Sequence, residues 1–551
     1  MPYCQVLSLL AVSLVAGAQQ PSRDFVIRNA RIFNGTRTLE SATVVVKDGK
    51  IASVSHGVSA PPGLPVVEGA GKTLLPGLID SHTHAFGDAL RQALEFGVTT
   101  ELDMFTDWRY AQQIKKQQAE GKDTDLADLR SAGTLATAPK GHGTEYGLDI
   151  PTITGPAEAQ AFVDARVAEG SDYIKIIYTV PHATPTVSKE TMAALIQAAH
   201  KRGKMAVVHI NSRQGAVDAL EAGADGLAHL FADQPPGPDF GRFVAAHHAF
   251  VITTLTVLER SSTYTNAEEA LRQLKAAHVP ILAGTDAPNL GAHGAALHHE
   301  LELLVLAGLT PLEALRAATS TPASVFHLDD RGVVAVGARA DLLLVAGDPT
   351  TDIKATRNIV GIWKAGVALN PRAVAAQAGL GAGNVSDFED GTTKAAFGFG
   401  WLATADKVAG GKSEAEIKVV PDGANGGKYS LLVEGEIRQG FVFPFGGAAF
   451  YPGPKPMEPA NLSAAKSIRF WAKGDGKTYR VMVYTKAGGY MPAIQTFAAG
   501  GAWCEYTFPL SAFGGTDGHD ITAIVFAAGP DPQQFSFQID DVRLPTQEPA
   551  P

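Results

Sequence analysis

The chain has 551 residues, of which 45% are hydrophobic and 19% are charged, and its formal net charge is −10. This length predicts two or three domains, and the composition is typical of a globular protein. The acidic balance argues against a general nucleic-acid binder, which would carry a basic face.

The N-terminal segment predicts a secretory signal peptide. An apolar run over residues 6–16 precedes an A-x-A-like site at 16–18, and the run is too short for a lasting membrane anchor. We therefore expect residues 1–18 to be removed and the protein to be exported to the periplasm or the extracellular space. A buried N-terminal strand is the alternative, because the segment lacks Lys and Arg. Loss of Cys4 leaves Cys504 as a single thiol, which excludes an intramolecular disulfide.

Strand-like sequence flanks a long central region. FVIRNARIFNG and ATVVVKDGKIASVS precede it, the second with a hairpin turn at Asp48-Gly49, and similar text returns at 340–349 and 359–367. Residues 369–385 are rich in Gly and Ala and predict a linker. Beyond them, alternating stretches such as SIRFWAKGDGKTYRVMVY predict an all-β sandwich over 386–546. No later segment has the length and apolarity of a transmembrane helix.

The central region alternates short apolar strands with Ala-rich helices, which is typical of a parallel α/β core. One helix is predicted to begin after Ser188, carry an apolar stripe at helical spacing and end at Gly203. Eight strands with crossover helices in this length favour a (β/α)₈ barrel, with a doubly wound open sheet as the alternative. The predicted strands are Leu74–Asp80, Val98–Met104, Ser131–Thr137, Tyr173–Tyr178, Met205–His209, Gly226–His229, Phe250–Thr253 and Pro280–Thr285.

Ligand-type side chains lie on or at the ends of five predicted strands. Residues i and i+2 of a strand share one face, so the two histidines of SHTH would project together. Taken singly, each residue has a structural explanation, such as a hydrogen-bonded histidine or a helix cap. Their joint spacing favours one metal site at the carboxyl-end mouth of a barrel. The residues are His82, His84, Lys175, His209, His229 and Asp286.

The lysine has a chemical explanation within such a site. Lys175 lies inside the apolar strand YIKIIY, and a buried amine tends to lose its proton. A neutral amine can react with CO₂ to form a carbamate, an anionic group with two oxygens that can bridge two metal ions. The four imidazoles and two anionic groups would then suffice for two divalent ions.

These motifs together resemble the amidohydrolase superfamily, in the branch of imidazolonepropionase-like and Xaa-Pro dipeptidase-like enzymes. The resemblance spans about residues 22–370 and rests on GLIDSHTH, YIKI, the two later histidine strands, AGTDAP and ATSTPASVF. It also includes VKDGKI, GARADLLLVAGDP and WKAGV, which in that superfamily belong to a small composite β-domain. It implies a (β/α)₈ barrel over 75–330 and a composite β-sandwich from 22–74 and 331–368.

The resemblance also implies a ligand set and a mechanism. Two divalent ions are expected, with zinc the expected metal, and a carbamate on Lys175 would bridge them. A metal-bridging hydroxide would attack the carbonyl, and Asp286 would accept its proton and deliver it to the leaving nitrogen. The lysine favours a two-metal amide or peptide hydrolase over one-metal relatives. The ligands would be His82, His84, Lys175 and Asp286 for the more buried ion, and Lys175, His209 and His229 for the other.

Two further residues are candidate substrate contacts. The loop KGHGTEYG (140–147) follows the third strand, and His142 resembles a substrate-contacting histidine of dipeptidase relatives. Tyr178, three residues past Lys175, can face the oxyanion or the substrate carboxylate, or simply pack. The loop TVPHATPT is shorter than in those relatives, which leaves strict dipeptidase specificity open. The histidines at 293–299 are expected on a following helix, away from the ligands.

The C-terminal region resembles the complex I intermediate-associated protein family, whose members have a galactose-binding-like jelly roll. The matching pieces are DFEDG, SIRFWAKGDGKTYRVMV, WCEYTFPLSAF and FSFQIDDVRL. Such a domain is a candidate for binding a glycan or a partner protein, but the fold does not determine function. Trp471 and Tyr484 are either a sugar-stacking platform or sheet residues.

We therefore expect an exported metal-dependent amidohydrolase that cleaves an amide or peptide bond of a dipeptide or an N-acyl amino acid. Its partner would be a small-molecule or peptide substrate and no nucleic acid, and a homo-oligomer is compatible with the sequence. One alternative is a cyclic amide or lactone hydrolase that uses the same site. Another, of a different class, is a glycan- or partner-binding protein in which the barrel is a scaffold.

Overall fold

The computed structural model describes residues 23–546 except 58–60, 147–148, 182–183, 290–291, 370–382, 442 and 517. The predicted signal peptide and most of the predicted linker lie outside these residues. Among the described residues, no helix is long and apolar enough to cross a membrane.

The described chain begins with five strands of a mixed sheet. Strand β1 pairs antiparallel with β2 and parallel with β4 and β5, and β2 continues into β3 through the Asp48-Gly49 turn. Both turn residues have positive φ, 50° at Asp48 and 73° at Gly49, as the sharp reversal requires. The strands are β1 (Phe25–Phe33), β2 (Thr38–Lys47), β3 (Lys50–His56), β4 (Val66–Glu68) and β5 (Lys72–Pro76).

Eight parallel strands follow and form a barrel, so this prediction is confirmed. They pair as β6-β7-β8 and as β9-β10-β11-β12-β13, and two parallel bridges, Ala136 with Ile176 and Thr83 with Ala287, join the two sets into a closed wall. The strands are β6 (Leu78–Thr83), β7 (Val98–Asp103), β8 (Asp128–Ser131), β9 (Ile174–Ile177), β10 (Ala206–His209), β11 (Gly226–Ala228), β12 (Phe250–Ile252) and β13 (Ile281–Leu282).

Helices surround the strands and bury one apolar face each. The predicted helix after Ser188 is present as α4: the Ser188 side chain accepts a hydrogen bond from Thr191 N, and Gly203 follows the helix with φ of 64°. The helices are α1 (Ala89–Glu95), α2 (Trp108–Ala119), α3 (Ala159–Ala168), α4 (Lys189–Lys201), α5 (Arg213–Glu221), α6 (Phe240–Ala246), α7 (Leu255–Leu258), α8 (Tyr264–Ala276), α9 (Ala295–Leu306), α10 (Pro311–Ala317) and α11 (Ser320–Val325).

Two predicted strand positions were wrong. The predicted first strand crosses Gly77, where the chain leaves the mixed sheet and enters the barrel, so it covers parts of two strands. A side chain does not fit at position 77, because a Cβ there would lie 2.2 Å from Thr99 Oγ1. The predicted third strand lies later than β8, because β8 begins at the buried carboxylate of Asp128, which sequence pattern does not identify as a strand residue.

The chain then returns to the mixed sheet. Strands β14 (Leu342–Ala346), β15 (Ile359–Lys364) and β16 (Val367–Leu369) extend it, with β14 antiparallel to β5. Segments from both flanks of the barrel thus share one eight-stranded sheet. Its description as a sandwich, and the exact domain boundaries, stay predictions.

The C-terminal region is all β, as predicted. Two antiparallel sheets enclose a core that includes Trp401, Phe470 and Phe526. One sheet has the strand order β19-β20-β27-β22-β25, with β17 paired to β27, and the other has the order β18-β21-β26-β23-β24. The strands are β17 (Gly383–Ser386), β18 (Gly400–Ala405), β19 (Glu414–Pro421), β20 (Tyr429–Ile437), β21 (Gly446–Tyr451), β22 (Ser467–Gly474), β23 (Thr478–Thr485), β24 (Ala493–Ala498), β25 (Cys504–Pro509), β26 (Ile521–Ala528) and β27 (Gln533–Leu544).

Candidate metal centre

The barrel brings the predicted ligands to one mouth. His82 lies near the end of β6, His209 ends β10, and His229 directly follows β11. Asp286 lies in the loop after β13, and His84 follows β6. Because parallel strands of a closed barrel direct their carboxyl ends to the same face, these side chains meet although they are distant in the sequence.

Asp286 is the point at which the two histidines of the SHTH motif meet. Its Oδ1 accepts hydrogen bonds from His82 Nε2 at 3.1 Å and from His84 Nε2 at 2.9 Å. Burial alone would raise the pKa of Asp286, but these two hydrogen bonds hold that pKa well below its usual range. The group is therefore a carboxylate at neutral pH.

The other histidines continue the cluster. His229 Nε2 lies 3.0 Å from His209 Nδ1, and the rings of His82 and His229 are 4.6 Å apart. One ligand atom each from His82, His229 and Asp286 lie within 4.8 Å of one another. A single cation can therefore contact all three.

The imidazoles are in the form that binds metals. Burial lowers the pKa of His82 and of His209 well below the usual value, and lowers that of His229 to about 3. Neutral imidazole offers a free nitrogen lone pair, whereas imidazolium offers none. Burial, which is costly for a charged histidine, thus prepares these residues as ligands.

Lys175 is buried in the wall beside them. Its side chain is 2% exposed, its Nζ has no hydrogen-bond partner, and burial lowers its pKa to about 7. Its charge also lowers the pKa of His209 and His229, so the amine lies within electrostatic reach of both. A buried amine without a partner requires an explanation, and the binding of metal ions beside it is one that fits this donor set.

Two of these residues have strained backbone. His229 has φ of 77° and Asp286 has φ of 61°, the left-handed region that side chains other than glycine rarely adopt. Such strain persists only where the surrounding structure imposes it, and it concentrates at functional sites.

The two candidate substrate contacts differ in their surroundings. The ring of His142 lies 5.0 Å from that of His209, and His142 Nδ1 pairs with Glu145 Oε1 at 2.7 Å. His142 therefore borders the ligand cluster. The hydroxyl of Tyr178 instead donates to Asp218 Oδ2 at 2.8 Å, on α5, and its contact with a substrate stays a prediction.

Of the histidines at 293–299, His298 and His299 lie on α9 as expected, whereas His293 precedes this helix. His293 pairs with Glu101, His298 with Phe96 O and Thr356, and His299 with Glu259.

Sequence analysis did not identify two aromatic residues, Phe105 and Tyr146, that lie beside the ligand cluster. The ring of Phe105 lies 6.4 Å from His84 and 6.3 Å from Tyr146, whose side chain is half exposed. Tyr146 also contacts His142, at 5.8 Å between ring centroids. Phe105 follows β7 by two residues, and Tyr146 belongs to the loop KGHGTEYG, which follows the third strand. Their positions after strands are the sequence feature that could have identified them as residues of the barrel mouth.

Two buried aspartates behind the ligands were also missed. Asp80 accepts hydrogen bonds from Thr285, next to Asp286, and from His82 N; Asp103 accepts one from Ala85 N. They hold the backbone on both sides of the ligand positions.

Comparison with known families divides the chain in two. Residues 73–370 match the Amidohydrolase family, and residues 387–523 match the family of Complex I intermediate-associated protein 30 (CIA30).

Similar sequences include an imidazolonepropionase of Deinococcus radiodurans, 27% identical over 58% of this chain and 88% of that protein. An adenine deaminase of Lysinibacillus sphaericus is 23% identical over 65% of this chain and 60% of that protein.

Similar solved structures include a Xaa-Pro dipeptidase with bound methionine, with a TM-score of 0.56 and 21% identity over 63% of this chain and 99% of that one. A putative prolidase from Bifidobacterium longum has a TM-score of 0.56 and 27% identity over 63% of this chain and 95% of that one. The first likeness, at this identity, establishes the fold alone.

Proposed function

The chain belongs to the amidohydrolase family, and from this membership we propose that it is an exported hydrolase that cleaves the amide or peptide bond of a dipeptide or an N-acyl amino acid. Members of the family are hydrolases that act on carbon–nitrogen bonds and have a binuclear metal site, so the chain is an enzyme of this class.

The ligand set suits two divalent ions, which we take to be zinc. Bound there, the ions would supply an activated water at neutral pH and polarise the scissile carbonyl. The neutral imidazoles, the carboxylate and the partnerless buried amine are the donors that such ions require. The ligands fall into two sets that share one residue: His82, His84, Lys175 and Asp286, and Lys175, His209 and His229.

The burial of Lys175 is the observation that carries the proposal. With its pKa lowered to about 7, a large fraction of the side chain is neutral near pH 7. The neutral nitrogen attacks CO₂, an N–C bond forms, and the nitrogen loses one proton to solvent, which leaves an anionic carbamate. This converts an unpaired buried amine into a bridging ligand, which a one-metal site does not need.

Asp286 is suited to proton transfer. Its pKa is held low, so it is an ionised but weak base, and it would accept a proton from a water that bound metal ions have acidified. The same group can then deliver that proton to the leaving nitrogen, as general base and then general acid.

The substrate side of the mouth combines one polar and two aromatic groups. We propose that His142 contacts a substrate carboxylate, which its hydrogen bond to Glu145 and its nearness to the ring of His209 support. The half-exposed ring of Tyr146, which packs near the buried ring of Phe105, offers apolar surface beside it for a substrate side chain. This combination suits an amino-acid derivative with a free carboxylate.

Export and the role of the C-terminal region are parts of the same proposal. The apolar run and the A-x-A-like site at the start of the sequence support export to the periplasm or beyond. We assign the region matched to CIA30 a role in binding a glycan or a partner protein.

A cyclic amide or lactone hydrolase is the second candidate. The 27% identity to an imidazolonepropionase favours it, because that relative is named for a cyclic substrate. The two-metal ligand set with Lys175 favours the first candidate.

A substrate panel tests the proposal. The full chain, supplied with zinc and bicarbonate, is assayed against Xaa-Pro and other dipeptides, N-acyl amino acids, cyclic amides and lactones. We expect turnover of a dipeptide or an N-acyl amino acid, and none by Asp286→Asn. Turnover of cyclic substrates only would transfer the assignment to the second candidate, and no turnover with metal bound would overturn both.

A further inference from the structure

A carboxylate outside the ligand set organises the turn after β12. Glu300, on α9, has no solvent exposure. Its Oε1 accepts hydrogen bonds from Thr253 Oγ1 at 2.5 Å and from Leu255 N at 2.9 Å, and its Oε2 accepts one from Thr256 N at 2.9 Å. Both carboxylate oxygens are thus used to hold residues 253–256, which we call the β12 turn.

The β12 turn contacts the metal centre at two points. Thr254 Oγ1 lies 2.7 Å from His229 Nδ1, and Thr256 Oγ1 donates to Thr285 O at 3.1 Å. Thr285 immediately precedes Asp286. One turn therefore touches the surroundings of ligands from two different strands.

The turn is strained where it meets the histidine. Thr254 has φ of 44°, and a β-branched residue rarely adopts this left-handed conformation. His229, its partner, also has positive φ. Strained backbone relaxes unless other interactions hold it, and the three hydrogen bonds to Glu300 are among the interactions that hold this turn.

We infer that Glu300 is a positioning residue for the metal centre, acting through the β12 turn. If His229 binds a metal ion through Nε2, the atom that faces His209, its proton is on Nδ1, and Nδ1–H then donates to Thr254 Oγ1. Glu300 holds the turn whose threonine hydroxyl fixes the orientation of this ring. The inference rests on the proposed function only in that His229 is a ligand.

A matched set of threonine variants tests the inference. Thr254→Val removes the hydroxyl and keeps the shape, whereas Thr254→Ser keeps the hydroxyl. Thr137→Val is the control, because Thr137 is a buried barrel threonine whose hydroxyl has no partner. Glu300→Gln replaces one acceptor oxygen by an amide that faces backbone donors.

The readout is zinc affinity of the metal-free full chain, measured by competition with a chelator, with circular dichroism to check folding. Thr254→Val and Glu300→Gln are expected to weaken the binding of at least one ion by about 10–100-fold, the usual effect of losing the partner of a ligating histidine. Thr254→Ser and Thr137→Val should bind zinc as the parent does.

The possible results distinguish the positioning role of Glu300 from the proposed function. If the parent binds two ions and Thr254→Val binds them equally well, the positioning role is wrong and the proposed function stands. If the parent binds no zinc, the proposed function fails together with the inference. If Glu300→Gln folds and binds zinc as the parent does, the role of Glu300 is wrong. Should Glu300→Gln not fold, Glu300→Asp, which keeps the charge but shortens the reach to the turn, takes its place, and the Thr254 pair tests the contact of the β12 turn with His229.

Discussion

At the scale of single residues, burial determines the chemistry of the site. The same desolvation that keeps the imidazole of His229 neutral, with a pKa of about 3, also brings the pKa of Lys175 down to about 7. His82, His209 and His229 are therefore deprotonated across the neutral range, whereas the protonation of Lys175 changes there. pH dependence of metal loading between pH 6 and 8 should report on the lysine.

Loading of the metal-free enzyme with zinc should therefore depend on both pH and bicarbonate. CO₂ reacts with the neutral amine, so raising the pH through about 7 should increase the loaded fraction, and protonation at pH 6 should decrease it. Bound zinc per chain is measured after incubation with and without bicarbonate. Lys175→Glu is the control, because its carboxylate needs no CO₂. If loading of the parent ignores bicarbonate at both pH values, Lys175 is not carbamylated.

At the scale of elements, ion pairs hold the floor of the barrel to the mixed sheet. Asp128, on β8, pairs with Lys364 on β15 and with Arg331 and Arg339. Burial alone would raise the pKa of Asp128, but the three cations hold it well below its usual range. This also explains why β8 was predicted too late in the sequence: an aspartate at the start of a buried strand is tolerated only because distant residues neutralise it.

Asp128→Asn should therefore destabilise the protein strongly. Removing the carboxylate leaves Lys364, Arg331 and Arg339 close together, and breaking a buried ion pair costs about 3–5 kcal/mol. The free energy of unfolding is measured by urea denaturation. Asp88→Asn is the control, because Asp88 is 79% exposed and pairs with Arg91 only at 3.9 Å, so a change within about 0.5 kcal/mol is expected. Equal effects of the two substitutions would contradict the structural role.

At the scale of the whole molecule, the C-terminal β region and the barrel are joined by an ion pair. Lys486, which follows β23, pairs with Glu95 at the end of α1, and the two side chains are 24% and 26% exposed. Solvent screens a pair with this exposure, and such pairs contribute about 0–1 kcal/mol. The pair therefore contributes little to the stability of the contact between the two regions.

A double-mutant cycle of Glu95→Ala and Lys486→Ala should thus give a small coupling energy, below about 1 kcal/mol, that decreases further at high salt. The free energy of unfolding of the four chains provides the measurement. A coupling of several kcal/mol that persists in high salt would show that this contact is a rigid interface.

Sequence by itself determined the fold class of both regions, the family, and the residue types that reach the mouth of the barrel. This was possible because strand–helix alternation is a local pattern, and it places every carboxyl end on one face. Only the tertiary structure decided which side chains meet there. Asp286 contacts both His82 and His84, Tyr178 is engaged by Asp218, and Thr254 supports His229. A side chain's partners depend on residues far away in the chain, and no local pattern contains that information.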